Sequence, residues 1–438
     1  MVLIRLSPMY ENKTGGEGKD HLVKHGFAVL ALFHVGSVAN LAFQFLAGRT
    51  LSRAGYGTLY SMLGFLLVFM VPMRALQTTI SHFTGHLYKE NRRGDVLLLA
   101  RMWENKLLIT GTPLLVLAFI LSIPLANYFH LTTAWPLVLV FCSAFIFSFL
   151  QLYVGALQGA QSFFWMCITS NGWSVIRLGA GLIMLLLVSA TALNGLSAHL
   201  IGTVSITIIA CLILRRMFKN QPASGQALDA TDRYFMLSML ALLAYSVLMN
   251  GDVVLVKIFF SAEADYGDYA RASAIGRMIV FLVQPLAMAL FPKVVAKGVA
   301  TPAHKKTLLR ALLMAGGMIA IAVALCAVFP HIPLNIIFGD IASDSRSANL
   351  LRIIAAAMAP LGLAFMIVNY ELAQHRFRFL FPLSACAVLF VLGIALFHAS
   401  IWQVAGILCC AGYACLGLLL LDLIVFQPNG RKPPDTGS

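Results

Sequence analysis

Apolar runs of about 20 residues, each long enough to cross a bilayer as a helix, recur from one end of this 438-residue chain to the other. Inside hydrocarbon every backbone N–H and C=O must be satisfied within its own segment, so such runs read as helices. Hydrophobic residues make up 60% of the chain and charged ones 11%, against about 25% charged in a soluble domain. These features define an all-α polytopic membrane protein.

Twelve spans are predicted. Six lie near residues 24–47, 58–86, 107–128, 135–157, 171–191 and 196–217. Six more lie near 233–257, 272–296, 308–330, 350–370, 379–398 and 402–426. The polar stretch "KNQPASGQALDATD" (Lys219–Asp232) divides the two sets and reads as a linker. The expected organisation is an N-terminal segment 1–23, a six-helix lobe 24–218, a linker 219–232, a second six-helix lobe 233–426 and a tail 427–438. The halves also share a pattern. "NLAFQFLAGRTLSRAGYG" (Asn40–Gly57) and "NGDVVLVKIFFSAEADYG" (Asn250–Gly267) both run from Asn to Tyr-Gly across the end of a first helix and the start of a second. Six spans return a chain to its starting side, so the lobes are expected to be parallel repeats about a pseudo-twofold axis along the membrane normal.

The net charge of +14 reflects topology rather than nucleic-acid binding. Lys89, Arg92, Arg93, Arg101 and Lys106 share one connection, Arg215, Arg216, Lys219 and Arg233 the next on the same side, and Lys293, Lys297, Lys305, Lys306 and Arg310 a third. The positive-inside rule then puts both termini in the cytoplasm, with membrane lipids as partners of the basic loops. The eight cysteines lie in or beside apolar runs without a C-x-x-C and read as inert apolar side chains. No phosphate-cradling glycine loop, nucleotide-binding domain or catalytic constellation is visible, so neither an enzyme, a metal site nor a cofactor is expected.

Polar groups recur on single faces of several spans. His34, Ser37, Asn40 and Gln44 fall in one sector of the first span, and Arg74, Gln77, Thr78 and Ser81 on one face of the second, just after Pro72, which kinks it. Gln151, Gln158 and Gln161 share a side of the fourth. Such stripes face either a wet cavity or a neighbouring helix as hydrogen-bonding glue. Arg177 in the fifth span is either a cavity residue or a snorkelling side chain. "GALQG" (Gly155–Gly159) fits the G-x-x-x-G helix contact. All six acidic residues of the first half lie in connections or at helix ends, so any ionised group inside the first lobe is cationic, which suits an anionic substrate.

The run "MNGDVVLVKIFF" (Met249–Phe260) buries Asp252 and Lys257 in the seventh span. A charge at hydrocarbon depth costs about 2.5–3.5 kcal/mol on insertion scales. The two residues lie about 140° apart around the helix and should not pair. Lys257, on the side of Asn250, is read as snorkelling. Asp252 is either the partner of a cation, with Arg277 the nearest, or a protonatable group. By the repeat offset Gln284 falls where Arg74 falls in the first half.

Residues 49–95, with the Tyr-Gly after the first outer loop, "PMRALQT" (Pro72–Thr78) and the basic loop ending Gly-Asp, resemble the amino-terminal region of the polysaccharide biosynthesis (oligosaccharide flippase) family. Asn250–Leu282 is similar to that family's seventh and eighth helices. The resemblance implies membership of the multidrug, oligosaccharidyl-lipid and polysaccharide exporter superfamily, with two lobes alternating around a central cavity. It implies an undecaprenyl-pyrophosphate-linked oligosaccharide as substrate and polysaccharide polymerase and glycosyltransferases as partners. Carried over, it makes Arg74 a contact for pyrophosphate and Asp252 an ion-coupling or interlobe residue. An ion-coupled exporter of small amphiphiles, of the multidrug and toxic-compound extrusion type, is the alternative, weakened by the lack of an acid in the first span. A non-transporting scaffold is a third reading and needs no Arg74. Many family members have fourteen spans, and twelve are counted here.

Overall fold

The computed structural model describes residues 35–224, 232–295, 302–339, 345–374 and 376–425, all of them helix or short connection. In the first half these are α1 (35–50), α2 (Arg53–Met70), α3 (Arg74–Lys89), α4 (Asp95–Tyr128), α5 (Trp135–Gly159), α6 (Phe163–Ile183, continued by a π-turn Met184–Val188) and α7 (Ala192–Phe218). The second half holds α8 (Asp232–Phe259), α9 (Glu263–Val295), α10 (Pro302–Val328), α11 (His331–Phe338), α12 (Ser345–Ala373), α13 (Leu380–Leu396) and α14 (Ile401–Val425). Among the described residues, 9 helical stretches are long and apolar enough to cross a membrane, with α2 and α3 counted together. The described part of α1, the charge-bearing α9 and the shorter α13 complete two sets of six.

Local chemistry sets the boundaries. Ser52 caps α2 by accepting from the Gly55 N–H (3.0 Å), and Thr191 caps α7 by accepting from Asn194 (3.3 Å). Helices α3, α4 and α5 all stop on a non-glycine residue with positive φ: Asn91, His130 and Gln161. In each case the following N–H returns to a carbonyl five residues back (Arg92 to Leu87 at 2.8 Å, Leu131 to Ala126 at 2.9 Å, Ser162 to Leu157 at 2.9 Å), closing a Schellman turn. Pro72 does more than kink its helix. Lacking an N–H, it interrupts the ladder at Val71–Met73, where Arg74, Ala75 and Leu76 bond three residues back at 3.0–3.1 Å, and a new helix starts at Arg74.

Several helices run further than hydropathy shows. α4 begins at Asp95 rather than near 107, α6 at Phe163 rather than 171, and α9 at Glu263 rather than 272. Their polar first turns stand outside the apolar stretch and are held by specific contacts. The α4 extension places Lys106 over the Trp103 ring (4.7 Å) and Glu104 against Tyr153 Oη (2.8 Å) and Arg215 (3.7 Å). Helix α11 is absent from the expected organisation. Pro330 precedes its first turn and Gly339, at φ 80°, ends it.

Each half is built around one central helix. α5 packs against α2, α3, α4, α6 and α7, and α12 against α8, α9, α10 and α14. They are the fourth long spans of their halves, as the parallel repeat requires. α2 bridges the lobes by packing on α8 and α9, and α3 also reaches α8. The outer faces of α4 and α10 expose Ile109, Leu114, Ile120, Ile123, Leu313 and Ile321, the apolar surface a bilayer covers. The start of the linker is docked on the first lobe. Asp95, fully buried, accepts from Arg92 Nε (2.8 Å), the Ser224 N–H (2.7 Å) and the Ser224 hydroxyl. The Cys386 and Cys415 thiols of α13 and α14 neighbour each other as free cysteines.

The motif Gly155–Gly159 does bring two helices together. A Cβ at Gly155 would lie 2.5 Å from the Gln77 carbonyl, and one at Gly159 would lie 2.4 Å from that of Ser81, so α3 rests backbone to backbone on α5. Gly155→Val or Gly159→Val is therefore expected to cost about 1–3 kcal/mol by overpacking. A fall in detergent melting temperature checks this, with Gly406→Val, whose Cβ would meet no atom within 4 Å, as the neutral control.

Candidate functional site

The lobes meet most closely at the face carrying the α1–α2 and α8–α9 connections. There the two Tyr-Gly copies of the repeat lie against each other. A Cβ on Gly57 would stand 2.6 Å from the Tyr266 ring and 3.0 Å from the Gly267 Cα; one on Gly267 would stand 2.5 Å from Arg53 Cγ and 2.9 Å from the Arg53 carbonyl. Two turns further in, a Cβ on Gly64 would meet Val253 at 2.6 Å, and beyond it Ser246 Oγ donates to the Leu67 carbonyl (2.9 Å). Polar groups lock the rim. Arg53 Nε pairs with the buried Asp268 at 3.1 Å, and Arg49 donates to the Asn335 and Ile336 carbonyls at 3.1 and 2.8 Å. Those carbonyls are the negative end of α11, where a cation is favoured. Tyr56 puts its ring edge-on to Phe338 (4.8 Å) and its hydroxyl on Gln44 Oε1 (3.0 Å). This face is sealed.

Beneath the seal lie the charges of the seventh span. Asp252 is fully buried and pairs with Arg277, whose Nε donates to the Met249 carbonyl (2.8 Å), while Tyr269 Oη donates to Asp252 Oδ2 (3.1 Å). The Arg277 guanidinium also sits 5.7 Å from the ring centre of Tyr60, a residue of α2. The pair thus joins α8 to α9 and faces the other lobe. A buried pair of this kind is held by its hydrogen bonds, since Coulomb attraction alone barely offsets desolvation. Lys257 does not snorkel. It is 2% exposed, with Nζ 3.5 Å from the centre of the Tyr266 ring, because the sealed interface closes over it. Asn250 is buried and bonds back to the Ser246 carbonyl (3.2 Å), a structural contact within α8. The Gln284 side chain and His34 lie outside the described residues.

Arg74 differs from these. It opens α3 at the Pro72 break and, unlike Arg177, Arg277 and Lys257, keeps an exposed side chain. Tyr245, buried on α8 of the other lobe, donates its hydroxyl to the Leu361 carbonyl (3.1 Å). Among the described residues no carboxylate neutralises Arg74. On the same helix Thr78 bonds back to the Arg74 carbonyl (3.1 Å), Gln77 donates to Gln158 Oε1 (2.8 Å), and Ser81 is half-buried over Gly159. Gln77 and Gln44 each make an interhelical hydrogen bond while their side chains stay half-buried. Arg177 is neither snorkelling nor in the cleft. It is 2% exposed inside the first lobe, bonded to Asn40 and lying over Phe43 (4.1 Å) and Trp173 (4.9 Å). No group of metal-ligating side chains occurs among the described residues.

Sequence reasoning missed Arg49, Arg53, Asp268 and Tyr245. Arg49 and Arg53 shortly precede one Tyr-Gly copy of the repeat and Asp268 directly follows the other, a proximity that was the available signal.

No protein-family model matches the chain, and no curated protein matches it. Solved structures do. An inward-facing multidrug resistance MATE family transporter of the MOP superfamily superposes with a TM-score of 0.69 at 13% identity, covering 89% of this chain and 94% of that one. Lipid II flippase MurJ in an inward closed conformation gives 0.65 at 13% identity over 91% and 87%. An outward-facing MATE family transporter gives 0.59 at 14% identity over 90% and 94%. The fold is the two-lobe helical fold of these membrane proteins.

Two outcomes are expected. Asp252→Asn leaves Arg277 buried without its counter-charge and should cost about 3–5 kcal/mol, read as lost folded protein by size-exclusion fluorescence. Gly267→Leu wedges the seal without touching either lobe's interior. It should raise labelling of a cysteine placed at Tyr60 by a membrane-impermeant thiol reagent added from the sealed face.

Proposed function

We propose that this chain is an alternating-access membrane transporter that moves an undecaprenyl-pyrophosphate-linked oligosaccharide to the outer leaflet for envelope polysaccharide assembly. The observation that carries the reading is Arg74, an exposed cation at a helix break between the lobes, unneutralised by any described carboxylate. A guanidinium presents a planar fork of donors suited to phosphate oxygens, and an amphiphile with an anionic head suits an exposed cation lying between two lobes that are packed together at one face. The fold shared with a lipid II flippase supports the substrate class.

In this reading the sealed face is the outer one, both termini are cytoplasmic, and the membrane is the inner membrane of a bacterium or archaeon. The basic residues Lys89, Arg92 and Arg93 of the α3–α4 turn would then meet anionic headgroups on the cytoplasmic side. Glycosyltransferases and a polysaccharide polymerase would supply and consume the substrate. Transport would swap the Arg53–Asp268 and Gly57–Gly267 contacts for an equivalent closure at the basic face.

The second reading is an ion-coupled exporter of small amphiphiles, supported by the fold shared with MATE family transporters. Binding a cationic drug calls for an available carboxylate, and Asp252 is already held by Arg277 and Tyr269.

Arg74→Ala and Arg74→Glu should lower polysaccharide export at least tenfold with the protein still in the membrane, and Arg74→Lys should retain part of it. Undiminished export by Arg74→Glu would end the anionic-substrate reading. Unchanged polysaccharide together with drug sensitivity in a deletion strain would favour the second.

A further inference from the structure

The exposed side of α3 carries more than Arg74. His82 and His86 stand four residues apart on it, and both side chains are exposed. At 100° per residue, positions 74, 78, 82 and 86 drift only about 120° around the helix over some three turns. The other side of α3 is closed, with Ala75, Leu76, Thr79, Ile80, Thr84 and Leu87 buried. Beneath the two histidines the backbone is held fast. A Cβ on Gly159 of α5 would stand 2.4 Å from the Ser81 carbonyl oxygen, 2.6 Å from Thr84 Cβ and 3.0 Å from the Gly85 nitrogen. The segment that presents both rings is therefore rigid, which favours a site held by side chains alone.

The rings are placed as two ligands of one ion would be. Their centres are 4.7 Å apart and their planes are inclined at 67°. A transition metal bound at the usual 2.0–2.1 Å from a histidine nitrogen lies about 3.2 Å from the ring centre. Rings 4.7 Å apart then subtend about 95° at a shared ion, between the octahedral and tetrahedral angles. Two histidines at i and i+4 on one helix face are also the spacing of the helical zinc-binding motif. Exposed rings turn at little cost, so no backbone movement is required. Charge is compatible with this. His86 lies in the last turn of α3, where the carbonyl dipoles favour a cation. Lys89 follows it, and Glu90, paired with Arg92 at 3.3 Å, supplies the opposite charge next to it.

We propose that His82 and His86 form a clip for a divalent transition metal ion of the zinc class. Imidazole nitrogens select such ions over Mg²⁺ and Ca²⁺, which take oxygen ligands. A group of three or more metal-ligating side chains does not occur among the described residues, so water completes the coordination. The ion would add fixed positive charge about 12 Å along the helix from Arg74. The site itself does not rest on the substrate reading.

Calorimetric titration with Zn²⁺ of the purified full-length protein, made without a polyhistidine tag, tests this. The expected result is one saturable Zn²⁺ per chain that excess Mg²⁺ does not displace. His82→Gln and His86→Gln, both at exposed positions that leave the packing intact, should each weaken binding about tenfold or more. Losing even an outer-shell partner of a metal site costs that much. His130→Gln, an exposed histidine on the α4–α5 connection, should bind as the unmodified protein does. With Cu²⁺ in place of Zn²⁺, electron paramagnetic resonance should show coupling to two imidazole nitrogens, and to one in either single variant. Full affinity retained in both His82→Gln and His86→Gln overturns the proposal. So does binding lost in His130→Gln, which places the ion elsewhere, and so does non-saturating uptake, which marks an adventitious ion only.

Discussion

Two membrane helices can approach to backbone distance only where side chains are missing, and the arrangement of this protein depends on one such approach. Gly57 of α2 and Gly267 of α9 meet across the lobes, with Tyr266 and Arg53 filling the space that any Cβ would claim. Because lipid tails are as apolar as leucine, helices in a bilayer gain little from burying more leucine, and close packing with a few hydrogen bonds provides the attraction. That approach brings Arg53 within 3.1 Å of Asp268 and Arg49 onto the end of α11. The same geometry covers Lys257 with Tyr266. It also sets Tyr60 against Arg277, so the buried ion pair of one lobe reads the position of the other.

Charge is then distributed by depth and by role. Asp252 and Arg277 cancel each other, and Asp252 has a further donor in Tyr269. Arg177 is enclosed by rings and an amide within its lobe. Arg74 alone of these cations keeps its side chain exposed within the bundle. A cation that is costly to bury and is nonetheless left exposed between two lobes is suited to a mobile anionic partner. The polar stripes around it mostly serve packing: Gln77 with Gln158, Gln44 with Tyr56, Thr78 with its own helix.

At the opposite end from the seal the linker is anchored to the first lobe: Asp95 holds its first residues through Arg92 and Ser224, and a Cβ on Gly94 would fall 2.0 Å from the Pro222 carbonyl. One contact there crosses the lobes, Trp103 of α4 with Phe235 of α8, ring centres 5.5 Å apart. Rigid bundles joined by a docked linker and one glycine crossing have the makings of a hinge, with the break at Pro72 placing Arg74 between them.

The sequence by itself determined the fold class, the spans and the parallel repeat. Apolar length and period are local properties, and hydrocarbon admits so few backbone solutions that length nearly dictates helix. It also named Arg277, on the next helix, as the nearest cation to Asp252 while leaving a protonatable Asp252 open, and the structure forms the pair. It marked Gly155–Gly159 as a helix contact and the Tyr-Gly copies as equivalent. It could not show that those copies touch each other, because a pseudo-twofold axis brings together residues 210 positions apart (Gly57 and Gly267). Nor could it separate Arg74, Arg177 and Lys257, three basic residues in apolar runs. Which one keeps an exposed side chain, which lies in an aromatic cage and which is covered by a tyrosine depends on what the neighbouring helices place opposite them, and only tertiary packing decides that.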